Sequence, residues 1–393
     1  VLNTSFSPWP SFTEEEADAV RAVILSNKVN YWTGQECREF EKEFAAWVGT
    51  EHAVALANGT VALDLALKAL GIGAGDEVIV TSRTFLASVS SIVNAGAVPI
   101  FADVDSDSQN ITAESIAAVL TGRTRAVICV HLAGWPCDMD PIMDLAAQHG
   151  LKVIEDCAQA HGAQYKGRPV GSIGHVGAWS FCQDKIMTTG GEGGMVTTND
   201  RDLWLRMWSY KDHGKSWEAV YERQHAPGFR WVHESFGTNW RMLEVQAAIG
   251  RIQLRRMAEW QSRRIENAQK IWSCARGLVG LRVPEVPEHI THAAYKCYVF
   301  VEAGKLREGW TRDRILSEIS TRGVPCFSGS CSEVYLEKAF DGTGWRPESP
   351  LPVARRLGEE SLMFLVHPTL TSNELDNTCA VLSAVMQLAT EQS

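Results

Sequence analysis

The chain has 393 residues, 45% hydrophobic and 21% charged, with a formal net charge of −10. That length suits a large and a smaller domain with sizeable cores. The acidic balance excludes a nucleic-acid-binding role, which needs clustered Lys and Arg. No apolar run reaches the roughly 18 residues of a membrane span, and the first residues lack the basic-then-apolar order of a secretion signal. Ten cysteines are scattered without a Cys-x-x-Cys pair. They read as buried, reduced thiols of a cytoplasmic protein with no metal site.

Elements follow in chain order. Short apolar runs at 53–56, 77–82, 98–104, 125–134, 152–157 and 178–181 read as buried strands. Helical patterns at 60–70, 87–95, 112–120 and 141–149 lie between them. This βαβα alternation predicts an α/β fold with a largely parallel sheet covered by helices on both faces. A helical pattern over 243–275 is long enough to link two domains. A strand at 294–301 and helices at 311–322 and 373–390 follow, so a large domain is expected over 1–276 and a small α+β domain over 277–393.

Open α/β sheets bind ligands at the carboxyl ends of their strands, so the residues there are the candidates. Asn58-Gly59-Thr60 opens a helix after the first strand and reads either as an anion site or as an ordinary cap. Phe85 follows the second strand, to stack on a planar ligand or to pack in the core. Asp156 ends an apolar strand. A carboxylate buried there is costly unless paired; a pyridinium nitrogen would pair it, and capping the next helix is the rival role. Glu155 points to the other face by the period of two. Gln159, three residues beyond Asp156, can donate to a ligand hydroxyl. Lys185 sits in a Gly- and Thr-rich loop after the strand that ends near Ser180. It is either a Schiff-base lysine or a solvated loop lysine. The glycines after it lack the spacing of a nucleotide phosphate loop.

In order and spacing these segments resemble the DegT/DnrJ/StrS family of nucleotide-sugar aminotransferases, which use pyridoxal 5'-phosphate (PLP). The resemblance runs through Ala57-Asn58-Gly59-Thr60, Thr84-Phe85, Val153 to Gln159, Ser180 to Lys185, Gly237 to Met242, Gln246 to Gly250 and Phe364 to Leu370. It implies a type I aminotransferase fold and a homodimer with shared active sites. Lys185 would form the Schiff base and Asp156 would hold the pyridinium. Gly59, Thr60 and Ser180 would hold the phosphate, joined by Asn239 from the neighbouring subunit. Phe85 and Gln159 would touch the ring. L-glutamate would be the amino donor and a nucleotide-linked keto-sugar the acceptor; pyridoxamine phosphate would be the intermediate form.

His131-Leu132-Ala133-Gly134 resembles the family's 4-keto-6-deoxyhexose members, with 3-keto amination as the alternative. Lys185 stands where the related dehydratases carry His, which favours amino transfer. Trp32, Thr33, Gly34, His161, Arg230 and His367 are candidate sugar neighbours. The two histidines also fit structural roles, and Arg230 or Arg241 reads either as meeting an anionic group of the substrate or donor or as an interface salt bridge. The chain departs from the family pattern at Gly190-Gly191, at 213–235 and at 326–335.

Overall fold

The computed structural model describes residues 6–390. Helices α1 (Glu14–Leu25) and α2 (Glu36–Val48) precede an alternating stretch: β1 (His52–Leu56), α3 (Gly59–Ala69), β2 (Glu77–Thr81), α4 (Ala87–Asn94), β3 (Val98–Ala102), α5 (Ala113–Ala117), β4 (Thr124–Val130), α6 (Met139–His149) and β5 (Lys152–Asp156). Short strands β6 (Gln164–Tyr165) and β7 (Arg168–Pro169) lead to β8 (Val176–Ser180), β9 (Gly194–Thr198), α7 (Arg201–Tyr210) and α8 (Trp217–Tyr221). The 33-residue α9 (Glu244–Arg276) comes next. The chain closes with β10 (Leu281–Arg282), β11 (Ile290–Thr291), β12 (Cys297–Val301), α10 (Arg312–Thr321), β13 (Cys326–Phe327), α11 (Pro352–Glu360), β14 (Ser361–Phe364) and α12 (Ser372–Thr390).

The main sheet has seven strands in the order β1-β9-β8-β5-β4-β2-β3. Its pairings are parallel except the two made by β9, which runs against both neighbours. A second sheet, β10-β12-β14-β13, is antiparallel. At about 1.5 Å per residue, α9 spans roughly 50 Å. Its first half, with Leu254, Met257 and Trp260, packs in the core between α2 and β8. Its second half, with Ile271, Trp272 and Ala275, packs under the C-terminal sheet.

Four expected elements are shorter than the apolar pattern suggests; the strand expected over 294–301 begins only at Cys297, after Ala294 takes a positive φ of 48°. The strand expected over 125–134 stops at Val130, because Ala133 and Gly134 take positive φ values of 58° and 94°. A Cβ on Gly134 would lie 2.9 Å from the Ala293 Cβ, so glycine permits this turn to touch the segment entering β12. The helix expected over 112–120 forms only over Ala113–Ala117, capped by Thr112. The strand expected over 98–104 ends at Ala102.

Glu155 lies on the face of β5 opposite Asp156 and is fully buried. Its carboxylate accepts the backbone N–H groups of Gly171 (2.9 Å), Ile173 (2.8 Å) and Gly174 (2.6 Å), and Nε2–H of His131 (3.0 Å). The Cys137 N–H occupies the other His131 ring nitrogen at 3.0 Å, which puts the proton on Nε2. Burial alone would raise the Glu155 pKa. The hydrogen bond from His131, with the glycine amides, outweighs it and holds the carboxyl below its ordinary value. Glu155 thus fastens the 171–174 loop and the 131–134 turn to β5. Glu155→Leu is expected to cost about 3–5 kcal/mol in urea unfolding, because it strands four buried donors. A loss under 1 kcal/mol would contradict this role.

Candidate active site

The carboxyl ends of β1, β5 and β8 and the start of α3 enclose a cavity of about 680 Å³. Gly59, Thr60, Phe85, Asp156, Gln159, Ser180 and Lys185 all line it. Seven positions singled out from the sequence therefore meet in one place.

Asn58 is extended and its side chain caps α3 by accepting the Val61 N–H at 3.1 Å. The cap role is real, and it also sets the first-turn amides of Gly59 and Thr60 at the cavity wall, where helix N-termini attract anions. Gly59 packs directly on Ser180: a Cβ there would sit 2.5 Å from the Ser180 Cβ. Gly194 on β9 is as constrained, since its Cβ would lie 2.3 Å from the Asn58 carbonyl oxygen. These two close approaches bring the helix terminus and the Ser180 hydroxyl together as an anion cradle.

Asp156 is 6% exposed. One carboxylate oxygen accepts the Ala158 N–H (3.1 Å) and the other accepts the Ser88 hydroxyl (2.8 Å), which is itself 2.9 Å from the Thr84 hydroxyl. Burial raises the Asp156 pKa despite these bonds. No lysine or arginine salt bridge reaches it among the described residues. A buried carboxylate left with neutral donors is matched by a cationic ligand group such as a pyridinium. The Gln159 side-chain oxygen accepts the Ala133 N–H at 2.8 Å, which leaves its NH₂ as the donor available to the cavity. The anion cradle, the unpaired acid and the nearby lysine fit the phosphate, ring nitrogen and aldehyde of PLP.

Lys185 belongs to the loop joining β8 to β9. Its N–H donates to the Cys182 carbonyl (3.1 Å), and its own carbonyl accepts the Trp9 indole N–H (2.8 Å). The side chain is 17% exposed; its Nζ lies 3.8 Å from Asp184 and 5.4 Å from the Tyr295 ring centroid. It is not a freely solvated loop lysine. Phe85 is 69% exposed, so core packing is not its role.

The remaining candidates lie away from this lining. The Trp32 indole donates to Asp212 at 2.8 Å. Thr33 is exposed, and Gly34 packs on the Glu244 side chain. His161 is buried between Trp179 and Phe181, with neither ring nitrogen in a hydrogen bond; burial lowers its pKa to about 3. His367 stacks on Trp9, bonds Thr369 at 2.8 Å and is likewise lowered by burial to about 3. Arg241 pairs with Asp212 of its own chain at 2.7 Å. Arg230 and Asn239 are exposed. Asp212 bridges to Asn239 through the backbone, so the same acid anchors Trp32, Lys215, Arg241 and the Asn239 segment.

Several neighbours escaped sequence reading. Ser88 lies inside a helix, and Asp184 is adjacent to Lys185 without a motif of its own. Trp9, Arg264, Tyr295 and Lys296 arrive from remote segments. The loop around 330–334, part of the 326–335 departure, packs on the segment just before Phe85: Arg83 is buried and donates to Gln109, Ser332 and Ser361, while the Val334 N–H bonds the Ser82 carbonyl.

Because the folded-state pKa of Asp156 is raised, its ionised form costs stability. That cost is absent below the ordinary carboxylate pKa and complete above the folded one. Asp156→Asn is therefore expected to raise the melting temperature of cofactor-free protein at pH 7 while lowering PLP-dependent turnover at least about 1,000-fold. A lower melting temperature with normal turnover would contradict the assignment.

The model of the DegT/DnrJ/EryC1/StrS aminotransferase family matches residues 10–383. An X-ray structure of the aminotransferase from Psychrobacter cryohalolentis superposes with a TM-score of 0.96 at 65% identity, covering 98% of this chain and 100% of that one. GDP-perosamine synthase of Caulobacter vibrioides is 38% identical over 356 residues, 88% of this chain and 89% of that protein. dTDP-3-amino-3,4,6-trideoxy-alpha-D-glucose transaminase of Streptomyces venezuelae is 36% identical over 374 residues, 95% and 92% of the two. Motif order, a cavity that joins those motifs and these likenesses agree: the chain belongs to the DegT/DnrJ/EryC1/StrS aminotransferase family and is a sugar aminotransferase.

Proposed function

We propose that this enzyme uses PLP to transfer the amino group of L-glutamate to the ketone of a nucleotide-diphosphate-linked keto-deoxysugar, with a 4-keto-6-deoxyhexose favoured. The observation that carries the reading is the buried, cation-free Asp156 sharing one cavity with Lys185 and the Gly59–Ser180 cradle. When bound, PLP supplies an aldehyde that captures amines and a ring that takes up the electron pair of the donor's α carbon.

The chain's own residues do the rest. Gly59, Thr60 and Ser180 hold the phosphate, and Asn239 of the partner subunit completes the site in a homodimer. Phe85 covers one ring face, and the Gln159 NH₂ donates to the ring hydroxyl. Asp156 keeps the ring nitrogen protonated. With the cofactor bound, the Lys185 Nζ would be the acid–base group that takes the donor's α proton and gives it back, and it would play the converse part when the acceptor occupies the site. Donor and acceptor occupy the site in turn, so ping-pong kinetics follow.

The C4 assignment rests on the His131–Gly134 turn. Its Ala133 N–H orients Gln159, while its His131 side chain faces Glu155 rather than the cavity. The Streptomyces relative, named for a 3-amino sugar, supports 3-keto amination as the second reading. A sugar dehydratase is disfavoured by Lys185. Trp32, Thr33, Gly34, His161, Arg230 and His367 stay as proposed sugar neighbours, with Thr33 and Arg230 exposed and free to reach a partner's site. The product would serve surface polysaccharide or natural-product biosynthesis in the cytoplasm.

The test is a spectrum of the PLP-loaded protein before and after L-glutamate, followed by nucleotide-linked 3-keto and 4-keto sugars, with NMR locating the new amine. Wild type is expected to convert to the pyridoxamine form and to aminate C4, whereas Lys185→Ala loses at least about 1,000-fold in turnover. A wild type that binds PLP yet ignores every amine donor would overturn the proposal; amination at C3 would overturn its regiochemistry.

A further inference from the structure

Three cationic side chains gather beside Tyr295 with one carboxylate among them. The Lys185 Nζ lies 5.4 Å and the Lys296 Nζ 4.7 Å from the Tyr295 ring centroid. Arg264, from α9, is 1% exposed. Its Nη1 donates to the Tyr295 carbonyl at 3.5 Å and its guanidinium sits 4.8 Å over the Trp9 ring, while Nε and Nη2 have no hydrogen-bond partner among the described residues. The acid present is Asp184, already engaged by the Tyr295 hydroxyl at 2.5 Å and 3.8 Å from the Lys185 Nζ. Among the described residues no carboxylate lies within 4 Å of Lys296 or Arg264.

Buried cations without a counter-charge are costly, and a guanidinium with open donors is matched by an oxyanion. Burial lowers the pKa of Lys296 to about 8, against the opposing pull of the Asp184 charge, and that of Arg264 to about 9. His161 and His367, close by, are held neutral and offer no negative charge.

We propose that Lys296, supported by Arg264 behind it, is the recognition site for the α-carboxylate of the amino donor. The proposal rests on the aminotransferase reading and names residues for a substrate group that reading leaves unassigned. Its chemistry is local. The donor's carboxylate is bonded to the very carbon whose proton Lys185 removes, about 1.5 Å away, so its counter-charge must stand beside Lys185. The diphosphate of a nucleotide sugar is separated from the ketone by the sugar ring and is not held to that position. Lys296 touches the donor; Arg264, with both open N–H groups fully buried, is a positioning residue that makes the region electropositive. A carboxylate carried by the sugar ring is the other source of the same chemistry.

The test uses PLP-loaded wild type, Lys296→Met and Lys296→Arg. Two readouts are taken: calorimetric binding of glutarate, an unreactive dicarboxylate, and the rates of the separate half-reactions with L-glutamate and with amino-sugar product. Lys296→Met is expected to weaken glutarate binding and raise the glutamate KM at least about 10-fold, leave the amino-sugar half-reaction within about twofold, and recover most of the loss as Lys296→Arg. Unchanged glutarate binding and glutamate KM would overturn the site. So would a loss confined to the amino-sugar half-reaction, which would assign the carboxylate to the sugar, or a loss that Lys296→Arg does not recover. A wild type that binds glutarate through Lys296 but never reacts with glutamate would sink the aminotransferase reading and leave the carboxylate site standing.

Discussion

A carboxylate buried at the end of a central strand is the constraint around which this molecule is built. Among the described residues Asp156 has only the Ser88 hydroxyl and the Ala158 N–H as hydrogen-bond partners, and its ionised form is worth keeping only if a cation arrives to meet it. Its neighbour Glu155 is just as buried but is fully satisfied by His131 and three backbone amides. Adjacent residues on opposite faces of β5 thus divide the work. Glu155 holds the fold together, and Asp156 is left open to a ligand.

The rest of the site is assembled by close backbone contact. Gly59 against Ser180 and Gly194 against the Asn58 carbonyl let α3, β8 and β9 meet without intervening side chains. The reversed β9 carries the chain back from the Lys185 loop into the sheet, pinning both ends of that loop. Trp9 then ties the Lys185 carbonyl to the N-terminal segment, and α9 runs from beneath this loop to the C-terminal sheet. The lysine is held from three directions while its amine faces the cavity.

Much of this was legible in the sequence because it is local. Apolar runs with turn residues at their ends mark the parallel strands, and the period of two separates Glu155 from Asp156. Lys185, Ser180 and Gly59 sit at strand ends where α/β sheets bind ligands. Element lengths were less legible: the 125–134 run is apolar throughout, yet positive φ at Ala133 and Gly134 ends the strand at Val130. The reversed direction of β9 has no local signature, since pairing direction depends on contacts far along the chain. Tyr295, Lys296 and Arg264 carried no local signal; they matter only because β12 and α9 deliver them beside Lys185. Trp32 and Gly34 were singled out for sugar contact, and in this chain they bond Asp212 and pack on Glu244.

The central claim is that Asp156 exists to hold a cationic ring nitrogen. It is tested most directly by ¹⁵N NMR of the protein loaded with PLP labelled at the pyridine nitrogen, comparing wild type with Asp156→Asn. The account predicts a protonated ring nitrogen in wild type that becomes unprotonated in the variant. An unprotonated nitrogen in wild type, or a protonated one that survives Asp156→Asn, would contradict it.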